Sequence, residues 1–126
     1  MSLVREFMIT DPVPCTPLTR LEEIERLMHE QKCSEISVLD SLYEKRLVGI
    51  VTDSDIESRA RIEGVELSHL NAEQCMNTLP IAVNPDSQVE DCLRLMESSH
   101  ISRMPVVDSD GHYCGVITRS DIQHIK

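Results

Sequence analysis

Tryptophan is absent from this 126-residue chain, and phenylalanine occurs once and tyrosine twice. A surface this poor in aromatic rings offers no stacking platform for unpaired bases, which argues against a single-strand nucleic-acid binder. Positive charge is also scarce: 12 Lys and Arg stand against 22 Asp and Glu, a formal net charge of −10. Such a surface repels a phosphate backbone, so no nucleic-acid partner is expected. No apolar run approaches the roughly 18 residues of a membrane span, so no membrane association is expected. The opening residues, Met1-Ser2-Leu3-Val4-Arg5-Glu6-Phe7, lack the apolar core of a signal peptide. The expected location is cytoplasmic, and Met1-Ser2-Leu3 is compatible with a cloning remnant.

Other absences narrow the chemistry. The five cysteines (Cys15, Cys33, Cys75, Cys92 and Cys114) are odd in number and form no Cys-x-x-Cys pair. That argues against a disulfide framework and a zinc knuckle, and leaves reduced, mostly structural thiols. His29, His69, His100, His112 and His124 share no ligand spacing. His112 and Cys114 alternate along one run, but zinc would need two further ligands. Asp53-Ser54-Asp55 and Asp108-Ser109-Asp110 look like Asp-x-Asp motifs yet supply too few oxygens for calcium, so no metal is expected. With no glycine-rich phosphate loop and no Ser/Cys–His–carboxylate grouping, no enzyme activity and no required cofactor are expected.

What the chain does have is a repeat. Gly49-Ile50-Val51-Thr52-Asp53-Ser54-Asp55-Ile56 returns as Gly115-Val116-Ile117-Thr118-Arg119-Ser120-Asp121-Ile122. Upstream, Pro17, Thr19, Glu22, Leu27, Met28, Val38 and Asp40 return as Pro85, Ser87, Glu90, Leu95, Met96, Val106 and Asp108, each 68 positions later. The shift falls to 66 at the glycines because one turn is two residues longer in the first copy. A repeat of this length is one supersecondary unit written twice. Two copies related by an approximate two-fold would leave two equivalent clefts between them.

Each copy reads strand, helix, strand, strand, helix. The extended starts are Val13-Pro14-Cys15 and Ile81-Ala82-Val83. Thr19-x-x-Glu22 and Ser87-x-x-Glu90 have the form of capping boxes. Leu21, Ile24 and Met28 then recur at helical spacing, as do Val89, Cys92, Leu93 and Met96. Two β-rich runs follow in each copy, 36–39 with 47–51 and 104–107 with 113–117. Asp108-Ser109-Asp110-Gly111 is a tight-turn signal, replaced in the first copy by the interval Asp40 to Arg46. The last helix is expected to begin near Ser54 or Ser120. In the first copy it carries Ile56, Ala60 and Ile62 and is capped by Gly64. The expected organisation is one module over 1–126, with repeats at about 8–64 and 76–126 joined by a linker at 65–75, in one compact body.

The strand-to-helix junction carries the candidate chemistry. A hydroxyl at a strand end followed by helix N-terminal amides directs several donors at one point and favours a negative group there. Thr118, Ser120 and the amides around them fit a phosphate or another polar group. Asp121, one step into the helix, has the reach to accept both hydroxyls of a ribose. The same Thr and Asp would equally serve as an ordinary helix cap.

The whole arrangement resembles the CBS domain, the cystathionine-β-synthase-like repeat that occurs in tandem as a Bateman module. The carrying residues are Gly-x-x-Thr-x-x-Asp-Ile (Gly49/Thr52/Asp55/Ile56 and Gly115/Thr118/Asp121/Ile122) and Arg103-Met104-Pro105-Val106-Val107-Asp108. The resemblance covers nearly the whole chain. It implies an α/β (α+β) fold of tandem β-α-β-β-α repeats with pseudo-two-fold symmetry. It also implies that Thr52/Asp55 and Thr118/Asp121 contact adenosyl ligands, and that Ser34 and Ser102, each with the residue after it, face the cleft. The adenine side would be lined by Thr10 and Val13 for the cleft with Ser102, Arg103, Thr118, Arg119, Ser120 and Asp121. For the cleft with Thr52, Ser54 and Asp55 it would be lined by Thr78 and Ile81. The copies depart from one another where Glu35 stands for Arg103, Ser37 for Pro105 and Asp53 for Arg119.

Two functions of different kind follow. One is a regulatory module that senses AMP, ADP, ATP or S-adenosylmethionine, alone or for a partner protein in trans. The other is an oligomerisation or protein-docking scaffold with vestigial clefts. A homodimer is expected in either case, since the family pairs its modules and closed two-fold dimers are the commonest soluble assembly. The exposed sides of the helices beginning near Ser54 and Ser120 are the expected contacts.

Overall fold

A computed structural model describes residues 2–10, 12–63, 66–78 and 80–123. In chain order the elements are α1 (Leu21–Gln31), β1 (Glu35–Leu39), β2 (Leu47–Thr52), α2 (Asp53–Glu63), α3 (Val89–Ser99), β3 (Arg103–Val107), β4 (Tyr113–Thr118) and α4 (Arg119–Gln123). Short 3₁₀ turns at Val4–Glu6, Leu67–His69 and Ala72–Gln74 complete the chain. Mixed helix and strand, written twice, is what the repeat implies.

The chain divides into two compact units. A contiguous unit holds Val13–Pro80, and a split unit holds Met1–Pro12 with Ile81–Lys126. In the contiguous unit β1 pairs antiparallel with β2, and the core gathers Leu21, Ile24, Leu27 and Met28 of α1 with Ile36, Val38, Val51, Ile56, Leu70 and Ala72. In the split unit β3 pairs antiparallel with β4 over Val4, Val83, Val89, Cys92, Met96, Met104, Val106, Ile117 and Ile122. The apolar stripes of α1 and α3 are thus buried as their spacing implies. Burial also silences the thiols: desolvation pushes Cys15 up to about 12 and Cys75 to about 11, and raises Cys92 and Cys114. All five cysteines are free.

Each unit is completed by a segment from ahead of the other copy. Val4 N–H donates to Ser87 O at 2.9 Å, and Ile9 forms an isolated bridge with Val116. Sixty-eight positions later, Ala72 N–H donates to Thr19 O and Asn77 bridges Ile50. Gly115 and Gly49 make this docking possible. A Cβ on Gly115 would lie 2.1 Å from the Ile9 carbonyl oxygen, and one on Gly49 would lie 2.8 Å from Met76 Sδ.

Several local expectations are corrected. Thr19 and Ser87 do not cap α1 and α3, whose N-caps are Arg20 and Gln88 without a side-chain bond. The physical reason is that the first helical N–H groups find distant carbonyls instead: Leu21 N–H donates to Leu70 O, and Val89 N–H to Ser2 O. Thr19 Oγ1 instead accepts the Thr16 N–H, closing the preceding turn. The opening strands shrink to single parallel bridges, Cys15 with Val38 and Val83 with Val106. The junction helices do begin near Ser54 and Ser120 as expected, at Asp53 and Arg119. Gly111 does supply the positive φ of its turn, and Lys45 does so in the longer turn. The expected Gly64 cap, the side chains of Ala60 and Ile62, and His124 lie outside the described residues.

Candidate functional site

The junctions of the two units share one geometry. Thr52 N–H donates to Asp55 Oδ2 at 3.1 Å, and Asp55 N–H returns a bond to Thr52 Oγ1 at 3.1 Å. Thr118 and Asp121 repeat the exchange at 3.3 and 3.2 Å, with an added Thr118 Oγ1 to Asp121 Oδ2 bond of 2.6 Å. Thr-x-x-Asp is therefore a reciprocal cap, and it explains why strand passes directly into helix without a loop. The cap occupies one carboxylate oxygen. Oδ1 of Asp55 and Asp121 accepts no bond among the described residues, which leaves one acceptor fixed in direction in each unit.

In the split unit the cap draws the other candidates together. Arg119 N–H donates to Ser102 O at 2.8 Å, and Arg103 lies opposite Thr118 in the β3–β4 register. Ser120 Oγ is 3.1 Å from Thr118 Oγ1. The Ile9–Val116 bridge delivers Thr10, whose Cα lies close to Gly115. Ser102, Arg103, Arg119, Ser120 and Asp121 are thus gathered around Thr118, and Thr10 lies beside Gly115 of the same unit. Arg103 has no polar partner among the described residues. Arg119 has one: its Nη2 lies 3.2 Å from Glu97 Oε1.

The contiguous unit builds the same frame with other charges. Asp53 N–H donates to Ser34 O at 3.0 Å, and Glu35 lies opposite Thr52. The Asn77–Ile50 bridge delivers Thr78. Ser54 is exposed beside Asp55. Val13 belongs to this unit, where its N–H donates to Gln31 Oε1 at 2.8 Å, and Ile81 belongs to the split unit. Each therefore lies outside the unit that carries the junction it was matched to. Arg59 acts on the Cys75 thiol together with Asp55, so it sits beside this junction, while Arg61 is paired with Glu57.

Outside the junctions, Asp108, Asp110 and His112 bring ligand-type atoms within 4.8 Å of one another. Asp108 Oδ1 already accepts the N–H groups of Asp110 and His112, and turn closure accounts for the grouping.

The sequence reading missed Ile9 and Asn77 as docking residues, and missed Glu97. A signal for the first two existed. Met8 and Thr10 return as Met76 and Thr78 at the same shift of 68, so the repeat begins earlier than its helices suggest.

This architecture defines a class. The CBS domain family model matches residues 4–60 and 72–125, and the chain belongs to that family. Inosine-5′-monophosphate dehydrogenase of Streptococcus pyogenes serotype M3 is 29% identical over 94% of this chain, which spans only 23% of that enzyme. The crystal structure of CBSX2 in complex with AMP is 26% identical, with a TM-score of 0.81 over 98% of this chain and 95% of that one. The CBS domain pair of protein MJ0100, in complex with 5′-methylthioadenosine and S-adenosyl-L-methionine, is 23% identical with a TM-score of 0.83 over 98% of each chain. The match to the dehydrogenase runs through a quarter of its length, so its reaction does not transfer. No described helix is long and apolar enough to cross a membrane.

Proposed function

We propose that the chain is a regulatory module that binds an adenine nucleotide or related adenosyl compound and signals its occupancy to a partner in trans. The observation that carries this reading is the Thr-x-x-Asp cap built twice, each time leaving one aspartate oxygen uncommitted. A ribose diol is the ligand group that a fixed carboxylate acceptor suits. CBSX2, which resembles this chain over nearly its whole length, is described with AMP bound.

The split unit is the tighter site for a phosphate-bearing ligand. Arg103 and Arg119 flank its cap, and guanidinium groups meet phosphates with several donors at once. Glu35 and Asp53 occupy those places in the contiguous unit. A unit charge about 4 Å from a phosphate contributes on the order of 1–4 kcal/mol between water-like and near-surface limits. Two reversed charges then separate the sites by about tenfold or more before screening.

A thermal-shift series with AMP, ADP, ATP and S-adenosylmethionine tests the reading. A ligand at 100 times its dissociation constant adds about 2.7 kcal/mol. Absence of any response overturns it in favour of a scaffold. We further assign a homodimer through the outer faces of α2 and α4, which light scattering at micromolar concentration checks.

A further inference from the structure

Glu97 stands where local physics disfavours it. It lies in the last turn of α3, the helix end whose unsatisfied carbonyls repel a carboxylate and favour a cation. α1 also carries an acid in its last turn, Glu30, but pairs it within the helix to Arg26, and His29 stands at the position that corresponds to Glu97. α3 has no basic residue in its last turn. Arg94, three residues before Glu97, is committed to Asp91. Among the described residues the one cation that meets Glu97 is Arg119, 22 positions away in sequence, at 3.2 Å. Arg119 in turn meets no other carboxylate there. The pairing joins α3 to the first residue of α4, directly beside the Thr118–Asp121 cap.

From this placement we infer that Glu97 is a specificity-determining residue: by holding Arg119 in the unliganded site, it weakens phosphate-bearing adenosyl ligands relative to uncharged ones. The inference rests on the proposed function. A phosphate that recruits Arg119 must share or displace the Glu97 carboxylate, whereas adenosine makes no claim on Arg119. The split unit is therefore less cationic than its two arginines suggest, and Arg103 is the guanidinium open to a ligand from the outset. In the contiguous unit His29 and Asp53 occupy the corresponding positions, so no equivalent restraint on an arginine exists there.

The experiment is calorimetry with AMP and with adenosine on the wild-type chain, Glu97→Gln, Arg119→Ala and the double variant, at low and moderate salt. Glu97→Gln is expected to tighten AMP about two- to fivefold, in keeping with the strength of an exposed ion pair, and to leave adenosine unchanged. The gain should shrink as salt rises and vanish in the Arg119→Ala background. A weaker AMP complex in Glu97→Gln, an unchanged one, or an equal change for adenosine overturns the inference while the ligand-binding reading stands. If wild type binds neither compound, the reading itself fails and the inference falls with it. Thermal denaturation midpoints of all four proteins show whether a variant has lost its fold. Should Arg119→Ala prove unstable, the contrast between AMP and adenosine in Glu97→Gln alone decides the matter.

Discussion

The split and contiguous units are built on the same backbone plan and differ at its edges. Their antiparallel pairs share one register, each with an irregularity one residue before the end of the first strand. Both helices α1 and α3 end on a left-handed residue, Lys32 at φ 54° and His100 at φ 56°. Around that common frame, Arg103, Arg119 and Glu97 in one unit stand against Glu35, Asp53 and His29 in the other. The turns also part company: Asp108 to His112 is compact and polar, whereas the longer one displays Leu42 and Tyr43 at 61% and 90% exposure. The lesson is a division of labour. Burial and backbone hydrogen bonding hold the frame constant, while residues that do not support it are free to give each unit its own electrostatics.

The comparison can be broken at the core first. Ile24 and Cys92 occupy the same place in α1 and α3, both fully buried. Ile24→Ala is expected to cost about 2–5 kcal/mol. Cys92→Ala removes a single heavy atom and should cost distinctly less. Urea unfolding measures both, and equal losses would mean that the two cores do not correspond.

The docking glycines come next. Gly115→Ala places a methyl group against a backbone oxygen, which cannot swing away, at a φ of +153°. About 2–4 kcal/mol of destabilisation is expected from overpacking with added strain. Gly49→Ala meets the flexible Met76 sulfur first, although the Asn77 carbonyl is also close, and is expected to cost about 1–3 kcal/mol. Chemical denaturation would refute the ranking if Gly49→Ala were the more damaging.

The sites themselves sharpen the contrast. Asp121→Ala is expected to abolish the tighter AMP event, losing tenfold or more in affinity on the order of 1.4 kcal/mol, while Asp55→Ala leaves it nearly intact. The reverse result would assign the tighter site to the contiguous unit, with Arg59 as its cation.

A smaller effect concerns acid. Backbone N–H donation from His112, with help from Asp110 and the nearby imidazole, holds the Asp108 carboxyl below its usual range. A depressed folded value means that its stabilisation is present above about pH 4 and is lost as pH falls through that value. Asp108→Asn should flatten this acid limb in pH-dependent melting, and an unchanged limb would assign the acid sensitivity elsewhere. Smallest of all, Lys32→Gly and His100→Gly relieve left-handed strain at matching caps and should each stabilise by about 0.5–1 kcal/mol. Unequal gains would show that the Lys32 charge at the end of α1 also contributes.

Much of this was legible in the sequence, for reasons that can be named. The apolar stripes of Leu21/Ile24/Met28 and Val89/Cys92/Met96 repeat, and a repeated period is hard to misread. The Thr-x-x-Asp junction was visible as a motif, and its double nature as cap and candidate site was open from the start. The Thr19 and Ser87 boxes misled because a local pattern says nothing about a competing acceptor from far away. Leu70 O and Ser2 O took the helix N–H groups first. Glu97 was invisible because its meaning depends on Arg119, which only the fold brings near.

The exchanged opening segments set an order in time. All of Val13–Pro80 is continuous, so once those residues exist the contiguous unit holds every strand and helix it requires. The split unit cannot close until β4 has been made, because Ile9 has no partner before Val116 appears. Val4 must wait on Ser87 across a span of more than 80 residues. Loop closure rises only as about 0.6 kcal/mol per doubling of length, so the delay concerns sequence of events more than final stability. Long-range pairing of this kind slows folding. During synthesis residues 2–10, with their apolar Val4, Phe7 and Met8, wait longest for their place, and that interval is when the chain is most exposed to wrong partners.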